Sequence, residues 1–233
     1  MVKIIISGIC GKMGSRILAL AAENEEIKVV GGIETGGHPM VGKKIPPVNC
    51  PVEDKLEGLI NQADVLVDFS NPGATLEHLK VAEKFKKPFV TGTTGISEEQ
   101  TEKIKAISRG IPVVLSPNMS IGVNLLFKLV GEVAKVIPSY NVEIVESHHN
   151  QKKDAPSGTA LKLAEKINQA SGGKLNYIYG RKGITGARKP DEIGILSVRA
   201  GDIVGEHTVV FAGTGERIEL AHRAHSRDTF AAG

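Results

Sequence analysis

The most constraining feature of the sequence is a glycine-containing segment near its start, flanked by strand and helix patterns. An apolar run at 3–6 is followed by Gly8-Ile-Cys-Gly-Lys-Met-Gly14 and then by apolar residues at helical spacing. A second apolar run at 27–33 ends at Glu34, twenty residues after Gly14. Glycines at such a turn let the backbone approach a pyrophosphate, and an acid at the next strand end accepts hydrogen bonds from a ribose. The segment therefore predicts a βαβ unit that binds a dinucleotide.

The alternation of strand and helix patterns continues to about residue 120. Strand patterns at 64–69, 88–91 and 111–115 are each followed by a polar or glycine-containing loop. Helix starts are indicated by Asn71-Pro72 and by the capping box Ser97-Glu-Glu-Gln100. Such alternation is typical of a parallel, doubly wound sheet, which binds ligands at the carboxyl ends of its strands. The loops expected there are Ser70-Asn71, 92–94 and 116–119.

The pattern changes after residue 120. A helix pattern at 121–137 leads to the alternating strand pattern 141–146. After Gly172-Gly173, four segments alternate or run apolar between glycine-rich turns, as antiparallel strands do: 177–179, 193–198, 207–211 and 217–221. Residues 226–233 resemble the beginning of a helix. We therefore predict an α/β chain with a Rossmann-like doubly wound parallel sheet domain, at 1–119 with 227–233, plus a second α+β domain with a mainly antiparallel sheet, at 120–226.

A second candidate site lies at 145–160, with the sequence Val-Glu-Ser-His-His-Asn-Gln-Lys-Lys-Asp-Ala-Pro-Ser-Gly-Thr-Ala. It connects a strand pattern to a helix pattern. We predict that Asp154 or Ser157 caps the helix and that Pro156 lies in its first turn. Free amides at 157–159 would form an anion site. Positive or titratable groups beside it are His148, His149, Lys152 and Lys153. The expected ligand carries carboxylates or phosphate.

Composition narrows the remaining function classes. The net charge is +3 and aromatic residues make up 4% of the chain, which favours neither a nucleic-acid platform nor a membrane-surface helix. Cys10 and Cys50 lack metal-ligand spacing, so we expect no disulfide scaffold and no metal site. With no apolar run of about 18 residues and no cleavage signature at the start, a cytoplasmic, reducing location is expected. The other histidines receive no role: His207, His222 and His225.

Several motifs together resemble a known family. They are Gly8–Gly14, Gly92-Thr-Thr-Gly95, Asn118-Met-Ser-Ile-Gly-Val-Asn124, Val204–Phe211 and above all His148-His-x-x-Lys-x-Asp-Ala-Pro-Ser-Gly-Thr159. From end to end the chain resembles the 4-hydroxy-tetrahydrodipicolinate reductases, also called dihydrodipicolinate reductases. The resemblance implies reduction by NADH or NADPH of the cyclic product of the preceding synthase, with loss of water, in the diaminopimelate and lysine pathway. A dicarboxylate substrate of that kind agrees with the predicted anion site.

The resemblance also implies roles for individual residues. His148 and Lys152 match the catalytic pair; we expect Lys152 to be the principal proton donor, and His148 either to donate a proton or only to orient the substrate. Substrate contacts are expected from the resemblance at His149, Gly158 and Thr159, and the predicted anion site adds the amide of Ser157. Dinucleotide contacts are expected at Gly8, Ile9, Cys10, Gly11, Lys12, Met13, Glu34, Gly92, Thr93, Thr94, Ser116, Pro117, Asn118 and Met119. The family is commonly tetrameric through its second domain, so a homotetramer is expected.

Departures from the family pattern lead to further expectations. Met119 stands where many members have an aromatic residue, and many members continue for a helix or more beyond the equivalent of Gly233. Where many members follow the ribose acid with arginine, this chain has the neutral Thr35, and its nearest lysines are Lys43 and Lys44. We therefore predict use of both cofactors, with NADH favoured by about 1–2 kcal/mol in kcat/KM.

Two alternative functions remain at this point. A different nicotinamide enzyme, such as an amino-acid or keto-acid dehydrogenase, explains the segment from Gly8 to Glu34 but leaves 148–159 without a role. A dinucleotide-sensing protein without catalysis shares the fold, because fold alone does not imply activity. The presence of both His148 and Lys152 argues against the sensor.

Overall fold

The computed structural model describes residues 1–233 and divides them into two compact units. Unit 1 comprises Met1–Met119 with Phe230–Ala232, and unit 2 comprises Ser120–Thr229 with Gly233. None of the helices combines the length and the apolar character needed to span a bilayer.

Unit 1 is built on a seven-stranded sheet with the order β3-β4-β2-β1-β5-β6-β7. Its strands are β1 Val2–Ser7, β2 Ile27–Ile33, β3 Lys44–Ile45, β4 Cys50–Glu53, β5 Val65–Asp68, β6 Phe89–Thr91 and β7 Val113–Leu115. All pairings are parallel except that of β3 with β4. The helices are α1 Gly14–Ala22, α2 Pro72–Lys84 and α3 Glu98–Ile107, and short 3-10 turns span Leu56–Gly58 and Ile60–Gln62.

The apolar run of β1 explains how this sheet is covered. Successive side chains of a strand point to opposite faces, and here both faces are buried. Ile4 and Ile6 belong to a core cluster that contains Ile17 of α1. Ile5 belongs to a different cluster, which contains Leu79 of α2 and Ile104 of α3. The segment Ile4–Ile6 of the central strand is therefore apolar without interruption, because it contributes to two cores.

Unit 2 consists of a five-stranded sheet with the order β12-β11-β8-β10-β9, together with two long helices. Its elements are α4 Ile121–Val136, β8 Asn141–His148, α5 Gly158–Ala170, β9 Asn176–Ile178, β10 Glu192–Arg199, β11 Gly205–Ala212 and β12 Arg217–Ala224, followed by the short α6 at Asp228–Ala231. One core cluster joins the two helices to the sheet, and its fully buried members include Val123, Leu163, Ile144 and Phe211.

The predicted fold class is confirmed: an α/β chain with a Rossmann-like parallel sheet and a second, α+β layer. In the second sheet, β11 pairs antiparallel with both β8 and β12 along their length. The exceptions are β10, which pairs parallel with β8, and β9, which pairs parallel with β10. The parallel direction follows because α5 forms a crossover between β8 and these strands. The sequence prediction did not include the short strands β3 and β4.

Helix ends in both units follow the local sequence signals. Asn71 caps α2, since its side-chain oxygen accepts hydrogen bonds from the amides of Gly73 and Ala74. Ser97 and Gln100 form the predicted capping box at α3. The predicted beginning of a helix within 226–233 is confirmed by α6.

Candidate active site

The core-facing side of the unit 2 sheet changes from apolar to polar along β8. Val142 and Ile144 are buried in the core cluster, whereas the next two residues on the same face are Glu146 and His148. The residues beside them on the neighbouring strands in this register are polar as well: Ser197, Arg199 and His207. One end of the sheet therefore carries a cluster of charged and titratable groups on the face that is elsewhere core.

Glu146 is at the centre of this cluster. Its side chain is fully buried, and Oε2 lies 2.6 Å from Nδ1 of His148. Arg199 donates from Nη1 to Oε2 and from Nη2 to Oε1, both at 2.8 Å. The amide of Ser157 donates to Oε1 at 3.1 Å. Burial alone would raise the pKa of Glu146, but hydrogen bonds from His148, Arg199 and Ser197 outweigh burial and hold that pKa well below its usual range. Glu146 is therefore a buried, ionised carboxylate with a full set of donors.

Lys152 lies in the loop after β8 and is linked to the same cluster. Its Nζ donates to Oδ1 of Asp154 at 2.8 Å, and its side chain is about one-fifth exposed. Burial raises the pKa of Asp154, but the hydrogen bond from Lys152 more than reverses this, so the Asp154 pKa is lowered. Arg199 donates from Nη2 to the main-chain oxygen of Asp154 at 2.6 Å. Arg199 therefore contacts both the carboxylate that holds His148 and the residue that holds Lys152.

His207 occupies the buried interior of the cluster. Its ring meets the ring of His148 edge-on, with centroids 5.2 Å apart, and its Nε2 lies 3.0 Å from Oγ of Ser157. Burial lowers the pKa of His207 to about 3. Its imidazole is therefore neutral at physiological pH. No role was expected for His207 from sequence; the available signal was its polar side chain at the position where the β11 alternation predicts a core residue.

The start of α5 differs from the prediction in two respects. Ser157 is the cap, as expected for one of the two candidates, because its Oγ accepts from the amide of Ala160. Pro156 lies before the helix, not in its first turn, and so that prediction is wrong. The Ser157 amide, expected to be free for an anion, is donated to Glu146 instead. The reason is tertiary: the buried carboxylate of β8 fixes where the helix begins, and the exposed Gly158 becomes its first residue.

Unit 1 contains a cavity of about 660 Å³ at the carboxyl edge of its sheet. Its wall includes Gly8, Cys10 and Gly11 of the glycine loop and Glu34 at the end of β2. Gly8 has φ +72°, and a Cβ there would lie 2.8 Å from a main-chain oxygen, so the tight turn requires glycine. Oε1 of Glu34 accepts a hydrogen bond from the amide of Cys10 at 2.7 Å, which ties the acid to the loop. The size, the close-approaching backbone and the acid suit the adenosine end of a dinucleotide.

The cavity brings together only some of the expected dinucleotide contacts. Gly8, Cys10, Gly11 and Glu34 line it. Ile9 is buried in a core cluster, and Thr93 is buried and hydrogen-bonded to Asp68. The other expected contacts do not line the cavity: Lys12, Met13, Gly92, Thr94, Ser116, Pro117, Asn118 and Met119. Ser70 and Asn71, whose loop was expected at this edge of the sheet, also line the cavity. Lining residues that were not expected are Ser7, Ile33, Thr35, Gly36, His38, Asp54, Phe69, Gly73, Ala74, Glu77 and His78.

A second buried carboxylate, Asp68, fixes the loops beside this cavity. Its Oδ2 lies 2.7 Å from Nδ1 of His78. Its Oδ1 accepts hydrogen bonds from the hydroxyls of Ser70, Thr75 and Thr93 at 2.9, 2.7 and 3.0 Å. Burial raises the pKa of Asp68, but the hydrogen bonds from His78 and the hydroxyls outweigh it, so the Asp68 pKa is below its usual value. The loops after β5 and β6 are thereby joined through one carboxylate.

Comparison with known proteins matches both units to the same family. Residues 2–119 match the family model described as dihydrodipicolinate reductase, N-terminus, and residues 122–233 match the model for its C-terminus. The 4-hydroxy-tetrahydrodipicolinate reductase of Syntrophobacter fumaroxidans is 48% identical over 100% of this chain and 91% of its own length. That of Aquifex aeolicus is 47% identical over 100% of this chain and 90% of its own.

A solved structure gives the same result. The dipicolinate-bound dihydrodipicolinate reductase from Paenisporosarcina sp. TG-14 has 29% sequence identity and a TM-score of 0.80, with 100% of this chain and 91% of that chain covered. Similarity to it extends through both units, as does the similarity to the sequence relatives. The chain therefore belongs to the dihydrodipicolinate reductase family.

Proposed function

We propose that His148 and Lys152 are the catalytic residues in the reduction of 4-hydroxy-tetrahydrodipicolinate to tetrahydrodipicolinate, with loss of water, in lysine and diaminopimelate biosynthesis. The reduction is the activity of the family, and it depends on NAD(P)H. The observation that carries the assignment is the polar end of β8, where a buried carboxylate holds His148 and a linked loop holds Lys152. When bound, the reduced nicotinamide supplies a hydride.

The charges of the cluster suit this chemistry. Hydride addition to a conjugated imine builds electron density on the ring, which a nearby cation can neutralise or protonate. The Lys152 ammonium is partly exposed and is oriented by Asp154, so it is the principal proton donor in this proposal. His148 either donates a proton or orients the substrate. The neutral His207 supplies no proton, because its pKa of about 3 keeps it unprotonated.

The substrate is a small dicarboxylate in this proposal. The dipicolinate in the Paenisporosarcina protein supports that substrate class. A carboxylate is received at the start of α5, whose first residue, Gly158, is exposed, with Thr159 and His149 as further contacts. The dipole of a 13-residue helix favours an anion at this end. The Ser157 amide takes no part, since it is donated to Glu146.

Unit 1 binds the dinucleotide in this proposal, and NADH is favoured over NADPH. The cavity wall includes the carboxylates Glu34, Asp54 and Glu77 and contains no lysine or arginine. A 2′-phosphate adds about two negative charges and requires a cation nearby, whereas a ribose hydroxyl donates readily to a carboxylate. Neither Lys43 nor Lys44 lines the cavity. NADPH is used as well, with lower kcat/KM.

Unit 2 also forms a homotetramer in this proposal. Leu196 and Val198 of β10 are 39% and 42% exposed, and they alternate with residues whose side chains face the core. An apolar sheet face of this kind, on the side opposite to α4 and α5, is suited to burial against another copy. Sedimentation velocity tests the oligomer: Leu196→Glu with Val198→Glu should yield smaller species.

The cytoplasmic location is part of the same proposal. Cys10 and Cys50 are both free thiols, and Cys50 is buried. Free thiols are typical of proteins from reducing compartments.

One assay tests the reaction. NAD(P)H absorbance is followed with freshly generated product of the preceding synthase, and cofactor oxidation is expected only when that product is present. Oxidation driven by an amino acid or keto acid would identify a different dehydrogenase. Cofactor binding without turnover would identify a sensor.

A further inference from the structure

We infer that Glu146 and Arg199 form a positioning pair that fixes both His148 and Lys152 for catalysis. The inference rests on the proposed function, since it concerns how the two proposed catalytic residues are held. Neither member of the pair is required to touch the substrate. Each acts through the residues that it contacts.

The first step of the argument concerns the proton on His148. Glu146 is ionised, because the donors around it hold its pKa far down, and an ionised carboxylate only accepts hydrogen bonds. The atom 2.6 Å from Oε2 is Nδ1 of His148, so Nδ1 carries a proton. Nε2 is then the nitrogen that can take up, hold or release a second proton. The pair therefore selects one tautomer of His148 and fixes the direction of its reactive nitrogen.

The second step concerns the connection to Lys152. Nη2 of Arg199 donates both to Oε1 of Glu146 and to the main-chain oxygen of Asp154, at 2.8 and 2.6 Å. The carboxylate of Asp154 in turn accepts from Nζ of Lys152 at 2.8 Å. One planar guanidinium thus sets the distance between the carboxylate that holds the imidazole and the residue that holds the ammonium. Lysine could not replace it, because an ammonium lacks the rigid fork.

The third step concerns the loop 149–156, which carries Lys152 and connects His148 to the start of α5. Oε1 of Glu146 also accepts from the amide of Ser157, across eleven positions of sequence. Both ends of the loop 149–156 are therefore attached to the same carboxylate, one directly through His148 and one through Ser157. A displacement of Glu146 would move the histidine, the lysine-bearing loop and the helix start together.

Stability alone does not account for this arrangement. A buried ion pair is weak evidence for stability, because removing two charges from water offsets much of their attraction. The same strand provides a comparison at its other end, where Glu143 bonds Arg181 and Arg188. That cluster is partly exposed and touches no histidine. Strand β8 therefore carries one Glu–Arg cluster without any catalytic neighbour and one that contacts His148 directly and Lys152 through Asp154.

Glu146→Gln is the direct test, with Glu143→Gln as the matched control on the same strand. In Glu146→Gln an NH₂ replaces one oxygen, so a donor faces either Nδ1 of His148 or the amide of Ser157. We expect kcat to fall by roughly a hundredfold, with the Kd for NADH unchanged within about twofold. This is less than the loss of about ten-thousandfold that a wrong histidine tautomer causes in a catalytic triad, because Lys152 remains as the principal proton donor. The control should keep kcat within about twofold. A kcat for Glu146→Gln within about threefold of wild type overturns the inference.

The tautomer is read independently of turnover by nitrogen NMR of the imidazole rings. His148 should carry its proton on Nδ1 in the wild-type protein and should lose that preference in Glu146→Gln. The charged and titratable groups beside this ring are Glu146 and His207, with Arg199 opposite His148 on the neighbouring strand. A tautomer identical in the two proteins would overturn the inference whatever the kinetics show.

Arg199→Lys keeps the positive charge and is the second test of the pair, for use if Glu146→Gln does not fold. We expect roughly a tenfold loss of kcat, because one ammonium cannot hold Glu146 and Asp154 together. If the variant lowers Tm but leaves kcat of the folded protein intact, Arg199 has a structural role only and the inference of a positioning pair is overturned.

Failure of the proposed function would give a different result. In that case the wild-type protein lacks turnover with the synthase product, while the NMR measurement still reports on the pair.

Discussion

Each unit buries one carboxylate against a histidine, and the two pairs differ in their other partners. Asp68 at the end of β5 lies 2.7 Å from His78, and Glu146 in β8 lies 2.6 Å from His148. Both carboxylates are fully buried, and both histidines are largely so. The remaining partners of Asp68 are uncharged: three hydroxyl groups and the amide of Ser70. Those of Glu146 include a guanidinium that forms two hydrogen bonds.

This difference matches what each unit is proposed to bind. Hydroxyls fix the loops around Asp68 without adding charge next to the cavity, where the pyrophosphate and ribose of a dinucleotide are expected to lie. At Glu146 the guanidinium adds charge and also reaches the loop that carries Lys152. The same carboxylate–imidazole pair can thus organise a binding surface or a catalytic group, and the other donors decide which.

The largest effect is expected at Lys152. Lys152→Ala removes the proposed proton donor, so kcat should fall by roughly a hundredfold or more, the usual size of a lost general acid. The Kd for NADH should be nearly unchanged, because that site is assigned to unit 1. Steady-state kinetics and NADH titration measure both quantities. Lys162→Ala, in the partly exposed ion pair with Glu165, is the control. Near-normal turnover of Lys152→Ala would remove the lysine from the mechanism.

The next largest effect concerns acid stability and His207. Burial lowers the pKa of His207 to about 3 from 6.5, so between these values the unfolded chain binds a proton that the folded protein does not. The free energy of unfolding therefore decreases as pH falls below about 6.5. The part of this decrease that comes from His207 is about 2 kcal/mol between pH 7 and pH 5. Urea unfolding at the two pH values should show a smaller loss for His207→Gln. Equal losses in both proteins would mean that His207 titrates normally in the fold.

A somewhat smaller effect is expected at the start of α5. Thr159→Val removes a hydroxyl from the proposed carboxylate site, and KM for the substrate should rise by about tenfold, the equivalent of one hydrogen bond to a charged group. Thr159→Ser keeps the hydroxyl and is the control. A planar pyridine dicarboxylate should compete with substrate and should lose affinity in Thr159→Val alone. An unaltered KM would show that the carboxylate is bound elsewhere.

The smallest effect concerns cofactor choice in unit 1. Thr35 is exposed and lines the cavity beside Glu34. Thr35→Arg supplies the missing cation, and the ratio of kcat/KM for NADPH over NADH should rise by about tenfold, since a charge-assisted hydrogen bond contributes about 1–2 kcal/mol. Thr35→Gln provides similar length without charge and should leave the ratio unchanged. A wild-type protein that strongly prefers NADPH would mean that a cation outside the cavity wall reaches the ribose.

The sequence predicted those features of the fold that depend on neighbouring residues. The glycine turn, the capping box at Ser97 and the alternating strands could all be predicted, because the residues that specify each of them lie within a few positions of one another in the sequence. Strand β3 has only two residues, and β4 contains Pro51, which interrupts a strand pattern. The parallel pairing of β10 was also not predicted, since it depends on the path of the chain through α5.

The candidate site shows the same limit more sharply. His148 and Lys152 were named from their motif, and their direct partners Glu146 and Asp154 lie two positions away. The residues that support those partners come from distant parts of the chain. Arg199 bonds a carboxylate 53 positions away, and His207 bonds a hydroxyl 50 positions away. The Ser157 amide was expected to be free, because nothing local indicates that Glu146 takes it. Local sequence identifies the reacting groups, whereas tertiary packing determines their support.

The most direct test of the contrast between the two carboxylates is to measure kcat and the NADH Kd in Asp68→Asn and Glu146→Gln side by side. Asp68→Asn should weaken NADH binding by about tenfold or more, because its loops lose a charged acceptor, while kcat at saturating NADH changes less than threefold. Glu146→Gln should do the reverse, with kcat reduced roughly a hundredfold and the NADH Kd retained. If both variants lose the same quantity to the same degree, the two carboxylates share one role and the account is contradicted.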